Sequence, residues 1–273
     1  MANKHNSDNR RIGVCDSGLG GLTSLPSLQQ LLPNESVLYF GDTARTPYGS
    51  RDRTTVKRFG AEIIDFLAQN GAKLVVIACN TLAATILPEI SEKYPELPIV
   101  GVIEPMVKAL PSLISKGDRL GIIGTQVTIE SGIYSQKIAQ ILPDIATVSL
   151  ACPLFVPMIE DGSVSRSEMR QIVRLTLDDF LKGNQVTHLL LGCTHFPLLD
   201  DIISELYPNL TLLDPAHYVS YEVKRILEAK AMLATEPKIS SDLYYASDLS
   251  PRFCQMVDKL AQASRNKFKE LRL

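Results

Sequence analysis

Two segments of this chain, Lys73-Leu-Val-Val-Ile-Ala-Cys79-Asn-Thr81 and Thr187-His-Leu-Leu-Leu-Gly-Cys193-Thr-His195, repeat one pattern 114 residues apart. Each is an apolar run without amphipathic alternation, closed by a cysteine and small polar residues. Runs of this kind read as strands buried on both faces of a parallel sheet, with functional groups emerging at the carboxyl edge. The pattern commits the chain to layered α/β architecture and sends two thiols to sheet edges of the same kind.

The remaining sequence alternates to match. Strands are expected at Arg11–Cys15, Val37–Phe40, Leu74–Ala78 and Ile99–Val102, separated by helices at Gly21–Leu32, Thr54–Gln69 and Leu82–Lys93. After Glu104-Pro105 the alternation restarts with a helix at Met106–Ser115, a strand at Leu120–Ile123, a helix at Ser131–Ile141 and a strand at Thr147–Leu150. A helix at Ser167–Lys182, the second cysteine strand and a helix at Leu198–Leu206 follow. Arg11-Ile-Gly-Val-Cys-Asp-Ser17 also lies over Arg119-Leu-Gly-Ile-Ile-Gly-Thr125, with nearly the offset that relates the cysteine strands. Two matches in the same order favour duplication over a chance rhyme between βα units. The expected fold is α/β: two pseudo-symmetric, doubly wound parallel-sheet lobes with the active site in the cleft between them.

Beyond Asp214-Pro215 the pattern gives a helix at Tyr218–Leu233, a short strand at Asp242–Ala246 and a last helix at Ser250–Lys269. Chain ends often lie close together, so this tail is expected to return to the first lobe. The division is then 1–103 plus 215–273 for one lobe and 104–214 for the other. A length of 273 residues agrees with two domains at about 150 residues each.

A net charge of -2 makes no electrostatic case for nucleic acid or an anionic membrane, which leaves a small-molecule partner as the better fit. No apolar stretch approaches the roughly 20 residues of a membrane span, and Met1–Arg10 lacks the apolar core of a signal peptide, so a cytoplasmic location is expected. Five cysteines, odd in number and without C-x-x-C spacing, read as reduced thiols. A homodimer is left open.

A strand-end cysteine is most often a small buried hydrophobe; the duplication is what points Cys79 and Cys193 to chemistry. Two like groups facing one substrate suit inversion of a stereocentre. Asn80-Thr81 and Thr194 are cap-type residues and Pro197 suits a first helical turn, so each thiol is expected to ionise more readily at a helix N-terminus. Zinc held by Cys79, Cys193 and His195 is chemically conceivable but lacks the tight spacing of zinc sites, and no metal is assigned. His195 is better placed to exchange a proton with Cys193, or else serves structurally.

Three further segments carry polar groups to the same edge. Cys15-Asp-Ser-Gly-Leu-Gly-Gly21 fails the dinucleotide fingerprint, because Thr23 stands where its third glycine belongs. It leaves a helix N-terminus able to hold a carboxylate, together with Asp16 and Ser17, either of which also reads as a simple cap. The loop Gly41–Gly49 offers Tyr48 and the Gly49 backbone. Pro153–Gly162 delivers Glu160 on an otherwise apolar segment, the setting in which carboxyls take part in proton transfer, although a solvated surface acid reads equally well.

Taken in order, Asp16-Ser-Gly-Leu-Gly-Gly21, Pro47-Tyr-Gly49, Cys79-Asn-Thr81, Gly101-Val-Ile-Glu-Pro105, Gly124-Thr-Gln-Val-Thr128 and Gly192-Cys-Thr-His-Phe-Pro197 resemble the bacterial glutamate racemases, from about Ile12 to Pro215. Aspartate and hydantoin racemases and arylmalonate decarboxylases share the cysteine idea without this full set. The resemblance implies cofactor-independent interconversion of L- and D-glutamate, the D-isomer feeding peptidoglycan synthesis. It implies Cys79 and Cys193 as the acid/base pair, assisted by Asp16, Glu160 and His195. It also implies substrate binding by Asp16, Ser17, Tyr48, Gly49, Asn80, Thr81, Thr125, Thr128, Thr194 and His195. The rivals are a racemase of aspartate or another acidic amino acid, and a non-catalytic two-lobed amino-acid-binding protein, which would need the cleft but not the paired thiols.

Overall fold

The apolar runs fold as parallel strands in a computed structural model that describes residues 8–165, 167–234, 238, 241–260 and 267–273. The first half winds β1 (Ile12–Asp16), α1 (Leu25–Leu31), β2 (Val37–Gly41), α2 (Arg53–Gln69), β3 (Leu74–Ile77), α3 (Asn80–Lys93), β4 (Ile99–Gly101) and α4 (Ile103–Ala109). The second winds β5 (Arg119–Gly124), α5 (Gln126–Glu130), α6 (Ile133–Ile141), β6 (Ala146–Ala151), α7 (Phe155–Glu160), α8 (Ser167–Asn184), β7 (His188–Gly192), α9 (Asp200–Leu206) and β8 (Thr211–Leu213). The chain then runs through α10 (Pro215–Ala229), β9 (Leu243–Ala246), α11 (Pro251–Leu260) and β10 (Phe268–Glu270).

The sheet orders are β10-β9-β2-β1-β3-β4 and β6-β5-β7-β8, with every pairing parallel. The order 2-1-3-4 recurs as 6-5-7-8, so β3 and β7, the strands that lead to Cys79 and Cys193, hold equivalent places. β1, β2 and β3 are buried at every position, which is why they read as continuous apolar runs. α2 covers them with Val56, Phe59, Ile63, Ile64 and Leu67, spaced at three and four residues on one face. Asp52 starts that helix by accepting the Thr55 N–H at 2.9 Å. Each fully buried aliphatic or aromatic side chain of this kind contributes about 1.5–3 kcal/mol.

The sequence expectation departs from the structure most at the C-terminus. Of the helix anticipated over Ser250–Lys269, α11 covers Pro251–Leu260, residues 261–266 lie outside the described residues, and Phe268–Glu270 is a strand. Phe268 is the anchor: its ring packs against Tyr39, Tyr244 and Phe253, burial that a helix-period reading of a lysine-rich segment does not reveal. The helix expected over Ser131–Ile141 is present as α6 from Ile133, and an unexpected short helix, α5, precedes it, the two separated at Gly132, whose φ of 65° lies in the left-handed region. α7, within the Pro153–Gly162 segment, is too short for its period to register.

Away from the cleft, α9 opens on Asp200, which has one carboxylate oxygen buried without a hydrogen-bond partner among the described residues. Burial, then Asp214 and Asp201, push its carboxyl up to about 6. A carboxyl raised on folding favours the folded state fully only below its unfolded pKa, and that contribution is lost as pH climbs through about 6. Asp200→Asn is expected to raise the melting temperature near pH ~7.5 and to leave it unchanged near pH ~4. Equal shifts at both pH values in thermal denaturation would rule this out.

Candidate active site

Only Ala78 and Cys79 separate β3 from α3, and Cys79 sits at the N-cap of that helix, its Sγ accepting the Leu82 N–H at 3.5 Å. The same sulfur lies 3.5 Å from Ser17 Oγ. The next residue, Asn80, accepts the Tyr134 hydroxyl on Oδ1 at 2.6 Å, a contact from α6 of the second lobe. Thr81 closes a ring of hydroxyls across the lobes, 2.9 Å from Thr125 Oγ1 and 3.3 Å from Thr128 Oγ1, which are 3.0 Å from each other.

On the other side, β7 ends at Gly192 and Cys193 follows, with Pro197 in the short 3-10 turn Phe196–Leu199. His195 spans two partners: Nδ1 is 3.9 Å from Cys193 Sγ and Nε2 is 3.0 Å from Glu160 Oε1. Thr46 Oγ1 donates to the same carboxylate oxygen at 3.3 Å. Asp16 is fully buried, taking the Gly18 N–H at 2.9 Å, the Gly21 N–H and the Thr194 hydroxyl at 3.2 Å. The glycine turn expected to hold a ligand carboxylate therefore spends those two N–H groups on the chain's own aspartate.

Both thiols line one cavity of about 130 Å³. Ser17, Tyr48, Gly49, Asn80, Thr81, Thr125, Thr194 and His195 share its wall. Tyr48 presents surface rather than a free hydroxyl, since its OH is bonded to Asp42. Asp16 and Thr128 stand behind the wall, reaching it through Thr194 and through Thr81 and Thr125. Glu160 also lies outside it and lines a neighbouring cavity of about 280 Å³ with Thr46, Ser250 and Phe253. The sequence reading missed Gln126, Cys152, Val156 and Pro157 in the wall. Cys152 was within reach of the same logic, because it directly follows β6 as Cys193 follows β7.

The electrostatics correct one expectation. Cys79 does not ionise readily: burial first, then the neighbouring Asp16 carboxylate, push its thiol up to about 12 against the help of Ser17 and the Leu82 N–H. Desolvation outweighs what a cap position supplies. Burial likewise raises the Asp16 carboxyl, opposed chiefly by His195. Burial would lower His195, yet hydrogen bonds to Cys193 and Glu160 hold it well above the usual imidazole range. Among the described residues no group of three His, Cys, Asp or Glu side chains is placed to hold a metal, and no helix is long and apolar enough to cross a membrane.

A paired-thiol cleft between parallel lobes invites comparison with known proteins. Glutamate racemases of Exiguobacterium sibiricum and Thermus thermophilus are similar to this chain, at 39% identity over 88% of both chains and 44% over 82% of both. The crystal structure of glutamate racemase from Francisella tularensis in complex with D-glutamate superposes with a TM-score of 0.88 at 34% identity, over 97% of this chain and 98% of that one. A family model described as Asp/Glu/Hydantoin racemase matches residues 23–219. With duplicated thiols already on one cavity, that match is decisive: the chain belongs to the Asp/Glu/Hydantoin racemase family.

Proposed function

We propose that this chain interconverts L- and D-glutamate without a cofactor, Cys79 and Cys193 acting as the acid/base pair. The observation that carries the reading is a single small cavity receiving a thiol from each lobe. A Cα–H is a very weak acid, so its removal needs a strong base in contact and stabilisation of the charge that develops. A sulfur whose thiol is pushed up to about 12 is a strong base once formed. An incoming ammonium group supplies positive charge that offsets the repulsion between that thiolate and Asp16. One thiolate takes the proton from one face while the opposite thiol delivers another to the other face.

In this reading Ser17, Asn80, Thr81, Thr125 and Thr194 hold the substrate, and Tyr48 with Gly49 shapes one wall. Thr128 orients the hydroxyls of Thr81 and Thr125, Asp16 assists beside Cys79, and Glu160 with His195 assists Cys193. The similarity to glutamate racemases, one of them described with D-glutamate bound, supports glutamate over aspartate. The D-glutamate produced would serve peptidoglycan synthesis in the cytoplasm.

The test is incubation of purified protein with L-glutamate in heavy water and no added cofactor. D-glutamate carrying deuterium at Cα is the expected product, read by chiral chromatography and mass spectrometry, with L-aspartate in a parallel arm. Retention of the original hydrogen throughout the D-product, or turnover of aspartate alone, would overturn the reading.

A further inference from the structure

Asn80 lines the cavity, and its amide can face substrate in two ways, with Nδ2 as a donor or Oδ1 as an acceptor. Only the donor orientation suits a carboxylate. The choice rests on a residue that does not touch the cavity. Tyr134, from α6 of the second lobe, is buried and places its hydroxyl 2.6 Å from Asn80 Oδ1. With the phenol donating to Oδ1, both Asn80 N–H bonds remain for the cleft. With the amide turned over, Nδ2 would donate to the phenol oxygen, and the phenol proton would be left buried without an acceptor, an arrangement folding disfavours. Burial holds the Tyr134 phenol well above its ordinary range, so that proton is always present.

We propose that Tyr134 is a positioning residue that locks the Asn80 amide with its N–H groups toward the substrate and so selects for an anionic ligand. This deepens the racemase reading above and rests on it. The hydroxyl acts through Asn80 alone, and it crosses the lobe boundary, because Asn80 opens α3 of the first lobe. The device therefore delivers its donor only when the lobes are docked.

The experiment compares wild type, Tyr134→Phe, Asn80→Ala and the double variant in glutamate racemisation, with melting temperature recorded for each. Tyr134→Phe removes one oxygen from a buried ring and is expected to raise KM for glutamate about tenfold while kcat falls far less. In the Asn80→Ala background the same change is expected to have no further effect on KM, since the group it orients is gone. A KM for Tyr134→Phe equal to that of wild type would overturn the proposal, as would a tenfold penalty that persists in full beside Asn80→Ala. Absence of racemisation by the wild type would instead defeat the functional reading itself.

Discussion

Replacing either Cys79 or Cys193 by serine is expected to lower glutamate racemisation by about 10²–10⁴-fold, the range set by loss of a positioned proton-transfer group. The hydroxyl is nearly isosteric but far less acidic than a thiol, so the base is lost while the shape is kept. Both cysteines are buried at strand ends, and the serine oxygen at position 79 can still accept the Leu82 N–H that caps α3. The melting temperature is therefore expected to change little. Because inversion needs a group on each face, the two single variants are expected to be similarly impaired in both directions and the double variant scarcely worse than either. Full turnover by either single variant, followed by circular dichroism of glutamate, would exclude the two-thiol mechanism.

The second large effect comes from a residue with no side chain. A Cβ built at Gly20, in the first lobe, would stand 2.7 Å from His195 Nδ1 and 2.8 Å from Thr194 Cβ, and nearer still to Thr194 Oγ1. All three atoms belong to the second lobe's half of the cleft. Gly20→Ala is expected to push Thr194 and His195 away from Asp16 and Cys193 and to lower kcat/KM about 10²-fold, the scale of an ångström-level misplacement. Gly183 near the end of α8 provides the control, since a Cβ there meets nothing within 4 Å. Gly183→Ala is expected to keep full activity and to stabilise by about 0.5–1 kcal/mol. Wild-type kinetics for Gly20→Ala would show that the lobes are not held at the distance the structure gives them.

Much of the architecture was legible because its signals are local. The apolar runs before Cys79 and Cys193 are strands, and the alternation of strand and helix dictates parallel pairing. The repeat of Arg11–Ser17 in Arg119–Thr125 corresponds to β1 and β5, which occupy equivalent places in the two sheets. β10 was not legible, because Phe268 packs against Tyr39, at the other end of the chain. Tyr134 was not legible either: it stands in an ordinary amphipathic helix, and only the packing of the second lobe on the first brings it to Asn80.

From the order of its residues alone, the chain determined two parallel sheets of matching topology and sent a cysteine to the carboxyl edge beyond β3 and another beyond β7, since strand period and edge placement depend on neighbours in sequence. Tertiary structure alone decided that the two thiols share one cavity, that the Thr194 hydroxyl reaches across the cleft to Asp16, and that burial makes Cys79 a weak acid. Those outcomes depend on desolvation and on contacts between residues more than a hundred positions apart, which no local pattern encodes.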